Sequence, residues 1–122
     1  MKCFLPNMIV ITFLISGCVH TTIGRKQIAE DAKIELIGKS KKEILLCVGA
    51  PDQQLKEEDL DILTYYSGKD FVIGQNAAAG KYCKIDFFFD AGKVVQINYS
   101  GRTGGVFTEG EQCAFALENC LK

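Results

Sequence analysis

Residues 82–99 read YCKIDFFFDAGKVVQINY, and this stretch indicates a β-hairpin. In its first arm every second residue is apolar, which is the period of a strand that buries one face. The residues of that face are Cys83, Ile85, Phe87 and Phe89. Residues 90–92, Asp-Ala-Gly, have the composition of a tight turn. In the second arm the same alternation predicts an inward face opposite Val94, Gln96 and Asn98, made of Val95, Ile97 and Tyr99.

Helical patterns flank the hairpin on both sides. Apolar residues over 26–37 predict a helix that ends at Gly38. Ser40 and Glu43 have the spacing of a capping box, which predicts a second helix over Lys41–Val48. Gly49 closes this helix and Pro51 prevents its return. A closing helix is predicted over 109–121, with an inward stripe of Cys113, Ala116, Leu117 and Cys120.

The remaining segments contain further strand patterns. Leu60–Tyr66 is rich in β-branched and aromatic residues, which favour a strand. Residues 67–81 are rich in glycine and alanine and predict a long connection, with a brief strand at 71–73. Another short strand is predicted at Val106 and Phe107. Together these elements predict a single α+β domain over residues 26–122.

The first seventeen residues have the features of a signal peptide. Their apolar run, residues 8–15, is shorter than the roughly 20 residues that a membrane-spanning helix needs. Residues 15–18, Ile-Ser-Gly-Cys, resemble the lipobox of bacterial lipoproteins. We therefore predict cleavage of residues 1–17, acylation of Cys18 and a lipidated tether over 18–25 in the bacterial envelope. Val19 after the cysteine favours the outer membrane and a periplasmic domain; an uncleaved anchor or a plain secreted protein is the alternative.

Four more cysteines belong to the predicted domain, and in an oxidising compartment an even number of cysteines favours disulfides. In a continuous C-terminal helix, Cys113 and Cys120 lie about 10 Å apart along the axis, which is beyond disulfide reach. Each would then bond to Cys47 or Cys83. If the helix breaks near Asn119, Cys113 could instead bond to Cys120, which leaves Cys47 for Cys83.

Composition argues against several functions. The net charge of −1 leaves no basic field for nucleic acid, and removal of Lys2 with the leader makes the charge −2, with 13 basic and 15 acidic residues. The single histidine, His20, lies in the predicted tether, and the chain has neither a Cys-x-x-Cys pair nor a Gly-x-Ser-x-Gly motif. We therefore predict no catalytic residues, metal site or cofactor.

Residues 37–51, IGKSKKEILLCVGAP, resemble the signature of the SmpA/OmlA (BamE-like) small outer-membrane lipoproteins. The pattern is a glycine, a capping serine or threonine, a short amphipathic helix and Gly-x-Pro. Tyr65 and Tyr66 and the apolar hairpin extend the likeness to residues 34–99. The resemblance implies two N-terminal helices packed on one face of a small antiparallel sheet, a fold shared with β-lactamase inhibitor proteins. The absence of tryptophan and the disulfide-tied C-terminal helix depart from the family.

These features predict a non-enzymatic lipoprotein that docks an envelope protein. Exposed aromatic residues and loops commonly form interfaces, so we predict contacts at Tyr65, Tyr66 and the loop over 74–81. The alternative is a periplasmic inhibitor or ligand-binding module that presents Phe88 and Tyr82 from the sheet. Against the docking hypothesis, both tyrosines could be only half-buried sheet residues. A third hypothesis is an enzyme, whose catalytic groups would have to come from Ser, Asp, Glu and Lys without histidine, with Asp86 and Asp90 as candidate carboxylates.

Overall fold

The structure is a computed structural model that describes residues 24–68 and 80–121. Over these residues the protein has an α+β fold with three helices, a four-stranded antiparallel sheet and two disulfides. The predicted leader of residues 1–17, the predicted acylation site Cys18 and the strand predicted at 71–73 lie outside the described residues. None of the described helices is both long enough and apolar enough to cross a membrane.

Two helices precede the sheet. Helix α1 spans residues 24–35 and is followed by a turn that Gly38 ends with a φ of +84°. Helix α2 is Lys41–Val48, as predicted, and its capping box is present. The Glu43 N–H donates to the Ser40 hydroxyl at 3.2 Å, and the Ser40 N–H donates to the Glu43 carboxylate at 2.7 Å. These bonds satisfy amides that a helix N-terminus otherwise leaves without partners.

The four strands follow one another in the sheet in the order of the sequence. They are β1 (Gln53–Glu57), β2 (Leu60–Ser67), β3 (Cys83–Asp90) and β4 (Lys93–Ser100). Every strand is antiparallel to its neighbour, so β1 and β4 form the two edges. The sequence pattern did not predict β1, because all five of its residues are exposed and it has no apolar alternation.

The predicted facing of Val94 and Val95 is wrong. Val94 is 1% exposed, whereas Val95 is 50% exposed. A β-bulge explains the exchange: Phe89 pairs with Val94 and Phe88 pairs with Gln96, so Val95 is an extra residue without its own partner. One inserted residue shifts the alternation by one position, which is why Ile97 still faces inward as predicted.

The C-terminal helix is less regular than predicted. It consists of a 3₁₀ turn at Glu111–Cys113, a single α-helical turn, α3, at Ala114–Leu117 and a second 3₁₀ turn at Glu118–Cys120. The prediction of a short strand at residues 106–107 is wrong, because both residues lie in a turn. Glycines on either side of them permit this compact turn where a strand would need an extended backbone.

The hydrophobic core lies between one face of the sheet and the helices. The sheet contributes fully or nearly fully buried side chains, among them Leu63, Ile85, Phe87, Phe89 and Ile97. The helices contribute Ala29, Ala32, Ile44 and Leu117, and the turn after α1 contributes Leu36. Burial of one phenylalanine stabilises a fold by about 1.5–3 kcal/mol, so β3 is the strand that anchors this core.

Two disulfides join the C-terminal segment to earlier elements. Cys47 in α2 bonds to Cys120, and Cys83 at the start of β3 bonds to Cys113. The Cα–Cα distance is 5.0 Å in each pair. Both C-terminal cysteines therefore bond to residues distant in the sequence, and they do not bond to each other.

Candidate functional site

The sheet face opposite the helices has a row of apolar side chains. Leu55 on β1 pairs with Ile62 on β2, which in turn pairs with Phe88 on β3. Directly paired residues of an antiparallel sheet direct their side chains to the same face. We call Leu55, Ile62 and Phe88 the outer strip. Leu55 is 54% exposed, and the other two are half-buried.

A polar row borders the outer strip. Gln53, Thr64, Asp86 and Asn98 occupy successive paired positions across the four strands. The Thr64 hydroxyl donates to the Asp86 carboxylate at 2.6 Å, and the Lys84 ammonium lies 3.4 Å from the same carboxylate. The carboxylate charge of Asp86 is therefore paired beside the strip.

The three aromatic residues predicted as partner contacts occupy two different faces. Phe88 belongs to the outer strip, and half-buried Tyr66 lies on the same sheet face, beyond the Thr64–Asp86 pair. Tyr65 lies on the helix-covered face and is 4% exposed. Phe88 and Tyr66 are therefore partly accessible on the outer sheet face, whereas the core encloses the Tyr65 ring.

Tyr65 has a structural role in the core. Its hydroxyl donates to the Gly49 carbonyl oxygen at 3.0 Å, which ties β2 to the end of α2. Its ring packs edge-to-face on Phe87 with the centroids 5.7 Å apart. Burial raises the pKa of the hydroxyl to about 12, so it stays protonated as a donor over the physiological range.

The other sequence candidates occupy separate places. Tyr82 is half-buried beside Gly101, where a side-chain carbon would lie 2.7 Å from the tyrosine ring. Of the loop predicted over 74–81, only Gly80 and Lys81 are described, and both are exposed. The Cys47, Cys83, Cys113 and Cys120 sulfurs are all in disulfides, so none of them is a free thiol.

On the side of the outer strip away from the polar row, an acidic turn at Glu58 and Asp59 joins β1 to β2. A cleft of about 250 Å³ there is lined by Glu58, Asp59 and Asp61 together with Lys56. A hydrogen bond from the Lys41 ammonium lowers the pKa of Asp61, so its carboxylate is engaged. Among residues 24–68 and 80–121, no group of three or more His, Cys, Asp or Glu side chains could hold a metal ion.

Leu55 and Ile62 were absent from the sequence-based candidates. Phe88, the third member of the outer strip, was predicted because an outward aromatic residue in a strong hairpin is visible in the pattern. Leu55 gave no such signal, because it is one apolar residue in a polar segment whose strand was not predicted. Only the register of β1 against β2 brings it into the row.

Comparison of the chain with protein-family models, with curated proteins and with solved structures finds no match.

Proposed function

We propose that this protein is a non-enzymatic lipoprotein of the bacterial envelope that is acylated on Cys18 and docks a protein partner through the outer strip. The observation that carries the docking proposal is the apolar row Leu55–Ile62–Phe88 on the sheet face away from the helices. Protein interfaces commonly have an apolar centre with a polar rim, and the row Gln53–Thr64–Asp86–Asn98 supplies such a rim.

The depth of the strip supports a protein surface as its target. Phe88 and Ile62 are half-buried in the sheet and Leu55 projects at its edge, so the row is shallow and extends across three strands. A small molecule is usually enclosed by a concave site, whereas a flat row of this kind suits another protein surface. The edge strand β1, exposed along its length, adds backbone groups with which a partner strand could pair.

The proposal includes the BamE-like arrangement of two N-terminal helices on one sheet face. Ala29 and Leu36 in and after α1, and Ile44 in α2, share one core with Phe87 and Phe89 of β3, which supports it. The two disulfides support an oxidising compartment such as the periplasm. A periplasm-facing site on the outer membrane is the location we propose, on the basis of the lipobox and Val19.

Docking is tested with two leucine variants in the native host. Leu55→Asp introduces a charge into the outer strip, and Leu46→Asp introduces the same charge on α2, where the leucine is 77% exposed. Both positions are at the surface, so both variants should keep the parental melting temperature. We expect Leu55→Asp to lose the partner in crosslinked, detergent-solubilised envelopes and Leu46→Asp to keep it.

A photoreactive amino acid at Leu55 makes the test independent of affinity. It should crosslink to one discrete envelope protein, and the same group at Leu46 should not. Equal crosslinking from both positions, or from neither, would contradict the assignment of the strip as the docking surface.

The lipid anchor is tested separately by the intact mass of the native protein. We expect a chain that begins at Cys18 and has fatty acids, and a further mass change of two hydrogens per disulfide on reduction. A native protein that retains residues 1–17 and has no fatty acid would contradict the proposed anchor.

A further inference from the structure

Two highly exposed apolar residues occupy the tip of a turn between β4 and the C-terminal helix. Val106 is 91% exposed and Phe107 is 86% exposed. We call this pair the apolar tip. Single apolar residues at a surface are ordinary. Two adjacent residues this exposed gain almost no stabilisation from burial of their apolar area, and a surface that covered them would supply it.

Hydrogen bonds hold the turn that presents the apolar tip. The Thr108 N–H donates to the Gly105 carbonyl at 3.2 Å, and the Gly105 N–H donates to the Thr108 hydroxyl at 2.9 Å. At the base of the loop, the Gln112 N–H donates to the Thr103 carbonyl at 2.8 Å. A side-chain carbon at Gly104 would lie 2.0 Å from the Thr108 carbonyl oxygen, so this turn requires glycine there. The loop therefore projects the tip from a fixed base.

The apolar tip lies beside the first turns of α1. Val106 and Lys26 line the same cleft of about 270 Å³, together with Glu30, Lys33 and Glu109. The cleft thus has two lysines and two glutamates, which give no net charge. The Lys33 ammonium lies 4.5 Å above the Tyr99 ring, and the Tyr99 hydroxyl donates to the Ala29 carbonyl at 2.6 Å. These contacts fix α1 against the end of β4.

Chain connectivity places this end of the domain near the anchor. Six residues lead from Cys18 to Gly24, where α1 begins, and even a fully extended chain of that length reaches only about 22 Å. This argument rests on the proposed function, because it requires acyl chains on Cys18. Given that anchor, the start of α1 and the adjacent apolar tip remain close to the bilayer surface.

We propose that the apolar tip inserts into the boundary between headgroups and acyl chains of the membrane to which the chain is anchored. Phe107 and Val106 enter the apolar layer, and the neutral cleft behind them adjoins the zwitterionic headgroups. Insertion orients the domain, since the β1–β2 turn at the other end of the sheet then points away from the bilayer. A tip that works by apolar contact should insert equally well at low and high salt.

The chain contains no tryptophan, so a single introduced indole reports on one position. The test variant is Phe107→Trp. The matched control is Asp59→Trp, at an exposed position in the β1–β2 turn at the opposite end of the sheet. Both mature acylated proteins, each beginning at Cys18, are bound to vesicles of phosphatidylethanolamine and phosphatidylcholine, with or without bromine on the acyl chains of the phosphatidylcholine. We expect brominated lipid to quench most of the Phe107→Trp emission and to leave the Asp59→Trp emission unchanged.

Three outcomes would overturn the insertion: no quenching of Phe107→Trp on vesicles that retain the protein, equal quenching of both variants, or quenching that disappears at high salt. Intact mass of the same samples reports the acyl chains independently. If fatty acid is absent, the proposed anchor fails. A chain that starts at Cys18, and therefore lacks Cys3, is then coupled through the Cys18 thiol to a lipid with a maleimide headgroup. The same comparison of Phe107→Trp with Asp59→Trp then decides the insertion.

Discussion

Removal of the disulfide between Cys47 and Cys120 should destabilise the domain more than any single surface change. The bond closes a loop with a sequence separation of 73 residues. The Cys83–Cys113 disulfide lies inside this loop and stays intact, so the covalent path from Cys47 to Cys120 is about 43 residues, for which loop-closure entropy corresponds to about 4.0 kcal/mol at 25 °C. The same relation applied to the separation of 30 residues between Cys83 and Cys113 gives about 3.6 kcal/mol. Cys47 and Cys120 are only partly buried, so little packing is lost with their sulfurs.

The perturbation is the double substitution Cys47→Ala/Cys120→Ala, measured by urea unfolding of the oxidised protein without reductant. We expect a loss of about 4 kcal/mol, equivalent to a fall of roughly 20 °C in melting temperature for a domain of this size. Leu46→Ala on the same helix is the control and should change stability by less than about 0.5 kcal/mol, since Leu46 is 77% exposed. A loss below about 1 kcal/mol in the double variant would refute the loop-entropy argument.

The pairing itself needs two proteases. Trypsin alone leaves Cys113 and Cys120 on one peptide, because residues 103–121 contain no lysine or arginine. Cleavage after glutamate separates them at Glu118. We expect residues 44–56 linked to 119–122 and residues 82–84 linked to 112–118, and any other linkage would contradict the disulfides described here.

Four further substitutions test the local structure by urea unfolding. Ser40→Ala removes the hydroxyl that caps α2 and should cost about 1 kcal/mol. The hydrogen bond that the Glu43 carboxylate accepts from the Ser40 N–H lowers the pKa of Glu43. The stabilising effect of that bond is therefore complete above the ordinary pKa of 4.5 and is lost as the pH falls through the lowered value. Val94→Ala should cost about 2 kcal/mol and Val95→Ala less than about 0.5 kcal/mol, and the reverse order would contradict the bulge. Tyr65→Phe leaves a carbonyl without its donor and should cost about 1 kcal/mol, and an unchanged midpoint would exclude that hydrogen bond as a stabilising contact.

The sequence predicted those elements whose patterns are local. Helix α2 could be assigned because Ser40, Glu43 and Gly49 act within one or two helical turns of each other. Strand β3 could be assigned because four buried residues alternate without interruption. Strand β1 could not, because an edge strand with both faces exposed has no apolar period and is defined by its bonds to β2. The bulge at Val95 was equally invisible, since either valine suits either face.

The residues of the candidate site also divide into those assigned from local patterns and those assigned from long-range pairing. Phe88 was found from the alternation of its strand, whereas Tyr65, Tyr66 and Leu55 could be assigned to faces only from the pairing of the strands. Aromatic residues favour strands whether their side chains face a core or an interface. Residue type therefore does not show that Tyr65 is in the core and Tyr66 is on the outer face. The hydrogen bond from Tyr65 to Gly49 depends on where α2 lies against β2, which is a long-range contact.

Local patterns in the chain were sufficient to assign the class of fold, the bounds of α2 and the β3–β4 hairpin, because capping and hydrophobic alternation act between near neighbours. Four features could be assigned only from the folded arrangement: the partners of the cysteines, the edge position of β1, the facing of Val94 and Val95, and the row that forms the outer strip. Each of these depends on which distant segments meet, and that choice is made by packing of the whole core and not by any local preference.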